Sequence, residues 1–184
     1  MNEIVIALAK ASILVALELP ESFDLEKALQ QYPKLKEDGA SFVTITKGSN
    51  QELRGCIGSL QAHRPLYKDI IFNAQSSALR DSRFKPLNKK ELNSIKIEVS
   101  ILSIPKIVSY TNSSDLKAKI EPIQDGIVLK LGNNQATYLP QVWEKLPKFD
   151  DFFSTLCQKA GLKSTCLLEH PKIMTYQVRK YKEK

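Results

Sequence analysis

The chain has 184 residues, of which 42% are hydrophobic and 26% charged, and its 27 Lys and Arg against 20 Asp and Glu give a formal net charge of +7. That length and balance describe a globular protein able to bury a real core as a single domain over 1–184, needing neither a disulfide nor a metal to fold. The three cysteines (Cys56, Cys157, Cys166) and two histidines (His63, His170) form no CxxC, CxxH or HxxxH spacing, so no metal site and no cofactor are predicted.

Residues Ile4 to Leu19 are almost wholly apolar, but Met1-Asn2-Glu3 lacks the basic start of a signal peptide. At about 100° per residue, Glu3, Lys10 and Glu18 fall on one narrow stripe, which predicts a largely buried helix ending before Pro20. The run is too short and too charged for a membrane span. Ser22 or Asp24 can cap a second helix to about Gln31, which Pro33 stops. Ala40 to Lys47 reads as a strand, Gly48-Ser49-Asn50 as a turn, and Glu52 to Leu60 as the returning strand. Pro65 suits the first turn of a helix running to about Arg80.

Strict alternation over Ile95 to Leu102 gives a strand with one apolar face. A loop, a short helix around Asp115 to Ile120, and a hairpin of Gly126 to Leu131 with Gln135 to Leu139 follow. Pro140 begins a helical piece through Trp143 to Leu146. Asp150 or Asp151 caps a further helix that Gly161 terminates from its C′ position. Ile173 to Arg179 closes as a strand. Hairpins alternating with helices, without the regular order of a parallel sheet, predict an α+β fold: an antiparallel or mixed sheet flanked by helices, with a smaller α/β subdomain.

Chemistry concentrates in Leu53-Arg54-Gly55-Cys56-Ile57-Gly58. Residues two apart on a strand share a face, about 6.6 Å between Cα atoms, so Arg54, Cys56 and Gly58 project together. A guanidinium beside a thiol favours the nucleophilic thiolate. Gly55 and Gly58 signal close backbone approach by another element or a ligand. From the residues alone, Cys56 is read in preference as a small buried hydrophobe, and the glycines also as ordinary bulges. Asp81 and Arg83 follow a helix end, as an ion pair or cap, and flank a sharp Phe84–Pro86 turn. Glu98, on the more polar strand face, pairs with Arg54 if their strands are neighbours. Gln141 and Trp143 follow Pro140, with Trp143 a core anchor in preference to a ligand platform.

Several segments carry a resemblance in register: Gly39-Ala40-Ser41-Phe42-Val43-Thr44, Arg54-Gly55-Cys56-Ile57-Gly58-Ser59-Leu60, Arg64-Pro65-Leu66, Asp81-Ser82-Arg83-Phe84-Lys85-Pro86-Leu87, Ile97-Glu98-Val99-Ser100-Ile101-Leu102, Asp125-Gly126-Ile127, Leu139-Pro140-Gln141-Val142-Trp143 and Lys159-Ala160-Gly161. They resemble the motifs of the AMMECR domain family over roughly residues 25–180. The resemblance implies an α+β fold with a larger and a smaller part, and, from the company such proteins keep, Memo-like and radical-SAM proteins as partners. It implies no established reaction.

Three functions are consistent with these residues. The first is a thiol-dependent enzyme or enzyme subunit with Cys56 as nucleophile or redox centre, Arg54 stabilising the thiolate or an anionic substrate, and Asp81 or Glu98 orienting or relaying protons. The second is a non-catalytic adaptor in which Gly55, Gly58, Arg83 and Gln141 help bind a small anionic ligand or partner peptide. The third, nucleic-acid binding, is disfavoured: Arg80, Arg83, Lys85, Lys89, Lys90, Lys96 and the basic tail alternate with acids and lack an aromatic RNA-binding signature. Three unpaired cysteines would mark a reducing compartment, hence a soluble, cytoplasmic protein away from membranes.

Overall fold

Strand alternation and helix periodicity both carry over into the computed structural model, which describes residues 2–183. Its helices are α1 (Asn2–Ala16), α2 (Leu25–Gln31), α3 (Leu66–Leu79), α4 (Ser113–Lys119), α5 (Val142–Lys145) and α6 (Phe149–Lys159). Its strands are β1 (Ala40–Lys47), β2 (Glu52–Gly58), β3 (Ile95–Leu102), β4 (Lys106–Val108), β5 (Asp125–Leu131), β6 (Asn134–Tyr138) and β7 (Lys172–Lys182). The fold is α+β, with antiparallel pairing for β1–β2, β1–β3, β4–β7, β5–β6 and β5–β7. Two compact units are present, one running through Leu102 and including the chain from Arg179 onward, the other Ser103–Val178.

In the first unit the strand order is β2–β1–β3 with the end of β7 beyond β3. Val43 and Ile45 of β1 and Ile97 and Val99 of β3 point to one face, where α1 and α3 bury Val5, Leu8, Ala9, Ile13, Ile70 and Ala74 against them. Each fully buried Val, Leu or Ile contributes about 1.5–3 kcal/mol. The helix predicted to reach Leu19 ends earlier. Glu18 takes a left-handed φ of 54°, its N–H bonding to Val15 O and that of Leu19 to Leu14 O, which closes a Schellman turn. Asp24, one of the two predicted caps, accepts from the Lys27 N–H at 2.9 Å. The returning strand stops at Gly58, two residues short of the expected end, although the Ser59 N–H still bonds to Ser41 O at 2.9 Å and its hydroxyl turns to Asp69.

In the second unit β5 is flanked by β6 and β7, and β4 pairs with β7 where only a loop was expected. Trp143 is the anchor of this core. It is 1% exposed, stacks on Phe152 at 3.6 Å between ring centroids, and donates its Nε1–H to Asp125 O at 3.0 Å. Asp150 and Asp151 do not cap α6. They sit in its first turn, where a carboxylate favours the positive end of the helix dipole, and Lys148 occupies the cap position. Gly161 terminates α6 as expected, with φ 75° and the Leu162 N–H bonded to Cys157 O.

One cysteine expectation is overturned in this unit. Cys157 and Cys166 form a disulfide with Cα atoms 5.8 Å apart, leaving Cys56 as the free cysteine. The reversal at Gly161 returns the chain to α6 and makes the pairing possible. An odd cysteine count therefore did not mean three unpaired thiols, and the inference to a reducing compartment loses its basis. Among the described residues, no helix is long and apolar enough to cross a membrane.

Candidate functional site

β2 is an outer strand, and an outer strand leaves backbone groups without a ladder partner. At Cys56 two side chains take that role. Asp81 Oδ2 accepts the Cys56 N–H at 2.8 Å, and Arg83 donates Nη2–H to the Cys56 carbonyl at 3.3 Å. Asp81 and Arg83 are joined to each other by a two-pronged pair, Nε to Oδ1 at 3.0 Å and Nη2 to Oδ2 at 2.7 Å. The expected ion pair after the helix is therefore present and clamps β2. Arg83, its hydrogen-bond partner, chiefly holds the Asp81 carboxyl well below the ordinary carboxylate range, against the effect of burial and with help from the Cys56 amide. Asp81 in turn raises the Arg83 pKa.

The glycines of the signature have steric accounts. Gly55 lies under α3, where a Cβ would collide with the Ser77 carbonyl oxygen. The Ser77 hydroxyl donates to Val43 O at 2.7 Å and accepts the Ile57 N–H at 2.8 Å, bridging β1 and β2 at this point. Gly58 stands opposite Phe42, whose ring fills the place of the missing side chain. The close approaches that two glycines predicted are thus made by a helix backbone and a cross-strand ring.

The Cys56 thiol is half-buried, 3.3 Å from the Thr44 hydroxyl on the neighbouring strand. Arg54 does not share its face in the expected manner. The β1–β2 register shifts between Ile45 and Thr46, leaving Gly55 opposite Ile45 and Leu53 opposite Thr46, so Arg54 is the extra residue of a bulge and leaves the alternation. Its guanidinium forks onto Glu91, Nε to Oε1 and Nη2 to Oε2, both at 3.0 Å. The expected Arg54–Glu98 pair is also overturned: β1 lies between β2 and β3, Glu98 opposes Thr44, and its carboxylate meets Lys182 at 3.2 Å.

Glu91 also accepts from Lys47 Nζ at 3.0 Å and from the Asn88 N–H at 3.2 Å. Arg54 first, then Lys47 and Asn88, lower its pKa to about 2 in spite of burial. Around this group opens a cleft of about 600 Å³ lined by Lys47, Arg54, Lys85, Lys90, Glu91 and the Phe84 ring, with Pro86, Asn88 and Ser94 completing it. Phe84 lies between the two forks, its ring centroid 5.9 Å from the Arg54 guanidinium and 5.4 Å from that of Arg83. Four cations face one carboxylate, and Lys85 and Lys90 make no salt bridge among the described residues.

Sequence reasoning did not single out Thr44, Lys47, Ser77 or Glu91. One signal was available for Glu91: Asn88-Lys89-Lys90-Glu91 has capping-box spacing, and the box forms at the start of a 3-10 turn over Lys89–Ser94. Asp69 was also missed. Fully buried, it accepts from the Ser41 N–H and hydroxyl (both 2.8 Å), Ser59 (2.6 Å), Asn73 (2.9 Å) and Arg64 (3.0 Å), tying α3 to β1 and to the residue that follows β2. Gln141 belongs to the second unit, exposed at the start of α5. Among the described residues no group of three or more His, Cys, Asp and Glu side chains is placed to hold a metal ion, and no buried side-chain nitrogen or oxygen lacks a hydrogen-bond partner.

Antiparallel strands backed by helices, with an edge strand clamped through Asp-x-Arg-Phe, define an α+β protein built around a structural signature. The family model described as AMMECR1 matches residues 6–181, and the chain belongs to that family. It is 35% identical over 167 residues to Protein MK0488 of Methanopyrus kandleri, covering 88% of this chain and 77% of that protein. A protein of Sulfolobus acidocaldarius is 38% identical over 160 residues, covering 82% and 69% respectively. The crystal structure of uncharacterized protein PH0010 from Pyrococcus horikoshii has a TM-score of 0.77 and 29% identity, covering 100% of this chain and 91% of that one.

Proposed function

We propose that the chain is a non-catalytic binding module whose first unit takes a small anionic ligand in the cleft beside Arg54. The observation that carries this reading is the lining of the cleft, where two lysines free of ion pairs stand with the forked Arg54–Glu91 pair. The fork holds that wall in place, so little ordering cost falls on a ligand. Catalysis draws less support. Asp81 is committed to the Cys56 amide and Arg83, Glu98 to Lys182, and neither is free to relay a proton to the thiol. The two compact units are read as the larger and smaller parts of a single domain.

Titration with inorganic pyrophosphate and with citrate, followed by calorimetry, tests the reading. Lys85→Ala with Lys90→Ala weakens binding at least tenfold, Arg54→Ala also weakens it, and Cys56→Ser leaves it unchanged. Equal binding by the wild type and the double lysine variant sinks the proposal. So does the absence of binding by either anion.

A thiol role is the second reading, favoured by one observation: Cys56 is free, and Arg83 reaches its carbonyl. Because Cys157 and Cys166 are joined, alkylation of the folded protein reports on Cys56 alone. A rate that falls several-fold in Arg83→Ala supports thiol chemistry, and an unchanged rate removes it. Memo-like and radical-SAM partners rest on family resemblance, and co-purification of the tagged chain with each tests them.

A further inference from the structure

Outside the cleft, α3 carries a surface feature of its own. The residues exposed along the helix and at its C-terminal cap are Lys68, Phe72 and Arg80, spaced so that they share one face, with Ser76 between the last two. Phe72 is 43% exposed, and the guanidiniums of Arg64 and Arg80 lie over its ring at 4.3 and 5.0 Å from the centroid. Arg80 is held in place by Ser76, whose hydroxyl accepts from its Nη2 at 2.9 Å. The ring stands outside the hydrophobic core cluster of this unit.

The charge of this face is one-sided. Asp69, the carboxylate of α3, is fully buried and satisfied by five hydrogen bonds, and Asp81 beyond the helix is buried under Arg83. From Ser59 to Arg83 no carboxylate is exposed, while Lys68, Arg80 and Arg83 are. The exposed acids Glu37 and Asp38 flank the start of α3 through the Leu66 N–H bond to Glu37 O and make no salt bridge to the stripe among the described residues.

We infer that this stripe docks an extended acidic segment of a partner protein, with carboxylates on Lys68 and Arg80 and an apolar or aromatic residue against the part of the Phe72 ring that the guanidiniums leave exposed. Lys68 and Arg80 stand twelve positions apart on the helix, about 18 Å between Cα atoms, but the Arg80 side chain reaches back over Phe72, so the two charges lie closer and a few residues of extended chain span them. A second copy is disfavoured, since each chain carries a net charge of +7. Single-stranded nucleic acid is disfavoured because the guanidiniums already cover the ring on which a base would stack. A membrane would meet one exposed aromatic residue on this stripe, too little apolar area for insertion. The inference is independent of the anion cleft.

The test is titration of a fluorescent random glutamate–tyrosine copolymer into the full chain, with polyglutamate, oligothymidylate and phosphatidylglycerol vesicles as competing probes. Lys68→Glu, Phe72→Ser and Arg80→Glu change exposed positions. Arg64 is left intact because it holds Asp69. The copolymer binds more tightly than the other three probes, each stripe variant weakens it at least tenfold, and Lys90→Glu in the cleft leaves it unchanged. Absence of copolymer binding overturns the inference, as does indifference to the stripe variants or loss in Lys90→Glu. Tighter binding of oligothymidylate or vesicles assigns the face to those surfaces instead, and equal binding of polyglutamate removes the role of Phe72.

Discussion

At Asp81 a single carboxylate meets the Cys56 amide and both donor arms of Arg83, and this makes the clamp sensitive to pH. The folded-state carboxyl lies below its ordinary value of 3.8, so as pH falls the unfolded chain takes up the proton first. The stabilisation is therefore whole above about pH 5 and is lost progressively as pH drops through the folded value. Asp81→Asn should lower the unfolding free energy at neutral pH by about 1–2 kcal/mol, at the modest end because Arg83 is half-exposed to solvent. Urea unfolding of both proteins near neutrality and near pH 3 checks this. The gap must narrow in acid, and a constant gap refutes the clamp. The two signature glycines give a second comparison. A methyl at Gly55 meets a helix backbone that cannot yield, whereas one at Gly58 meets a ring that can turn away. Gly55→Ala should cost about 3 kcal/mol or more and Gly58→Ala about 1–2 kcal/mol, measured by the same unfolding curves.

Among the elements, β1 and β3 begin and end where their alternation does, because Val43 and Ile45 of one and Ile97 and Val99 of the other are buried on one face and a shift of one residue would turn them outward. Element ends set by turn geometry were less legible. The α1 boundary depends on Glu18 entering the left-handed region, a conformation that costs a non-glycine residue about 1–2 kcal/mol, and nothing local announces it. Glu18→Gly should keep the Schellman turn, relieve part of that cost, and stabilise the chain by about 0.5–1 kcal/mol, read as a rise in midpoint temperature. A fall would mean that the glutamate side chain has a role beyond the turn. The candidate site was half legible for a related reason. The motif around Cys56 marked the right strand, but the bulge at Arg54 is decided by β1, and Glu91, the partner of Arg54, lies 37 residues away. Pattern within a strand reports which faces alternate, and it does not report where pairing with another strand breaks the alternation.

For the molecule as a whole, the cysteines were the least legible feature, since parity says nothing about which pair of three will meet. Cys157 lies in the last turns of α6 and Cys166 in the 3-10 turn that follows, and the reversal at Gly161 joins them across a separation of nine residues. Closing so short a loop removes a small part of the unfolded chain's freedom, worth about 2–3 kcal/mol in the chain-entropy account. Both sulfurs are buried in the second unit's core beside Phe153 and Leu156, so a reductant reaches them only when that region opens. The folded protein should therefore take up one alkyl group, at Cys56, and three after denaturation with a reductant, as counted by intact mass. Cys166→Ala should lower the midpoint temperature, and added reductant should lower that of the wild type while leaving the variant unchanged. If the folded chain takes up three alkyl groups without reductant, the disulfide is absent in solution, and the compartment argument from free thiols returns with it.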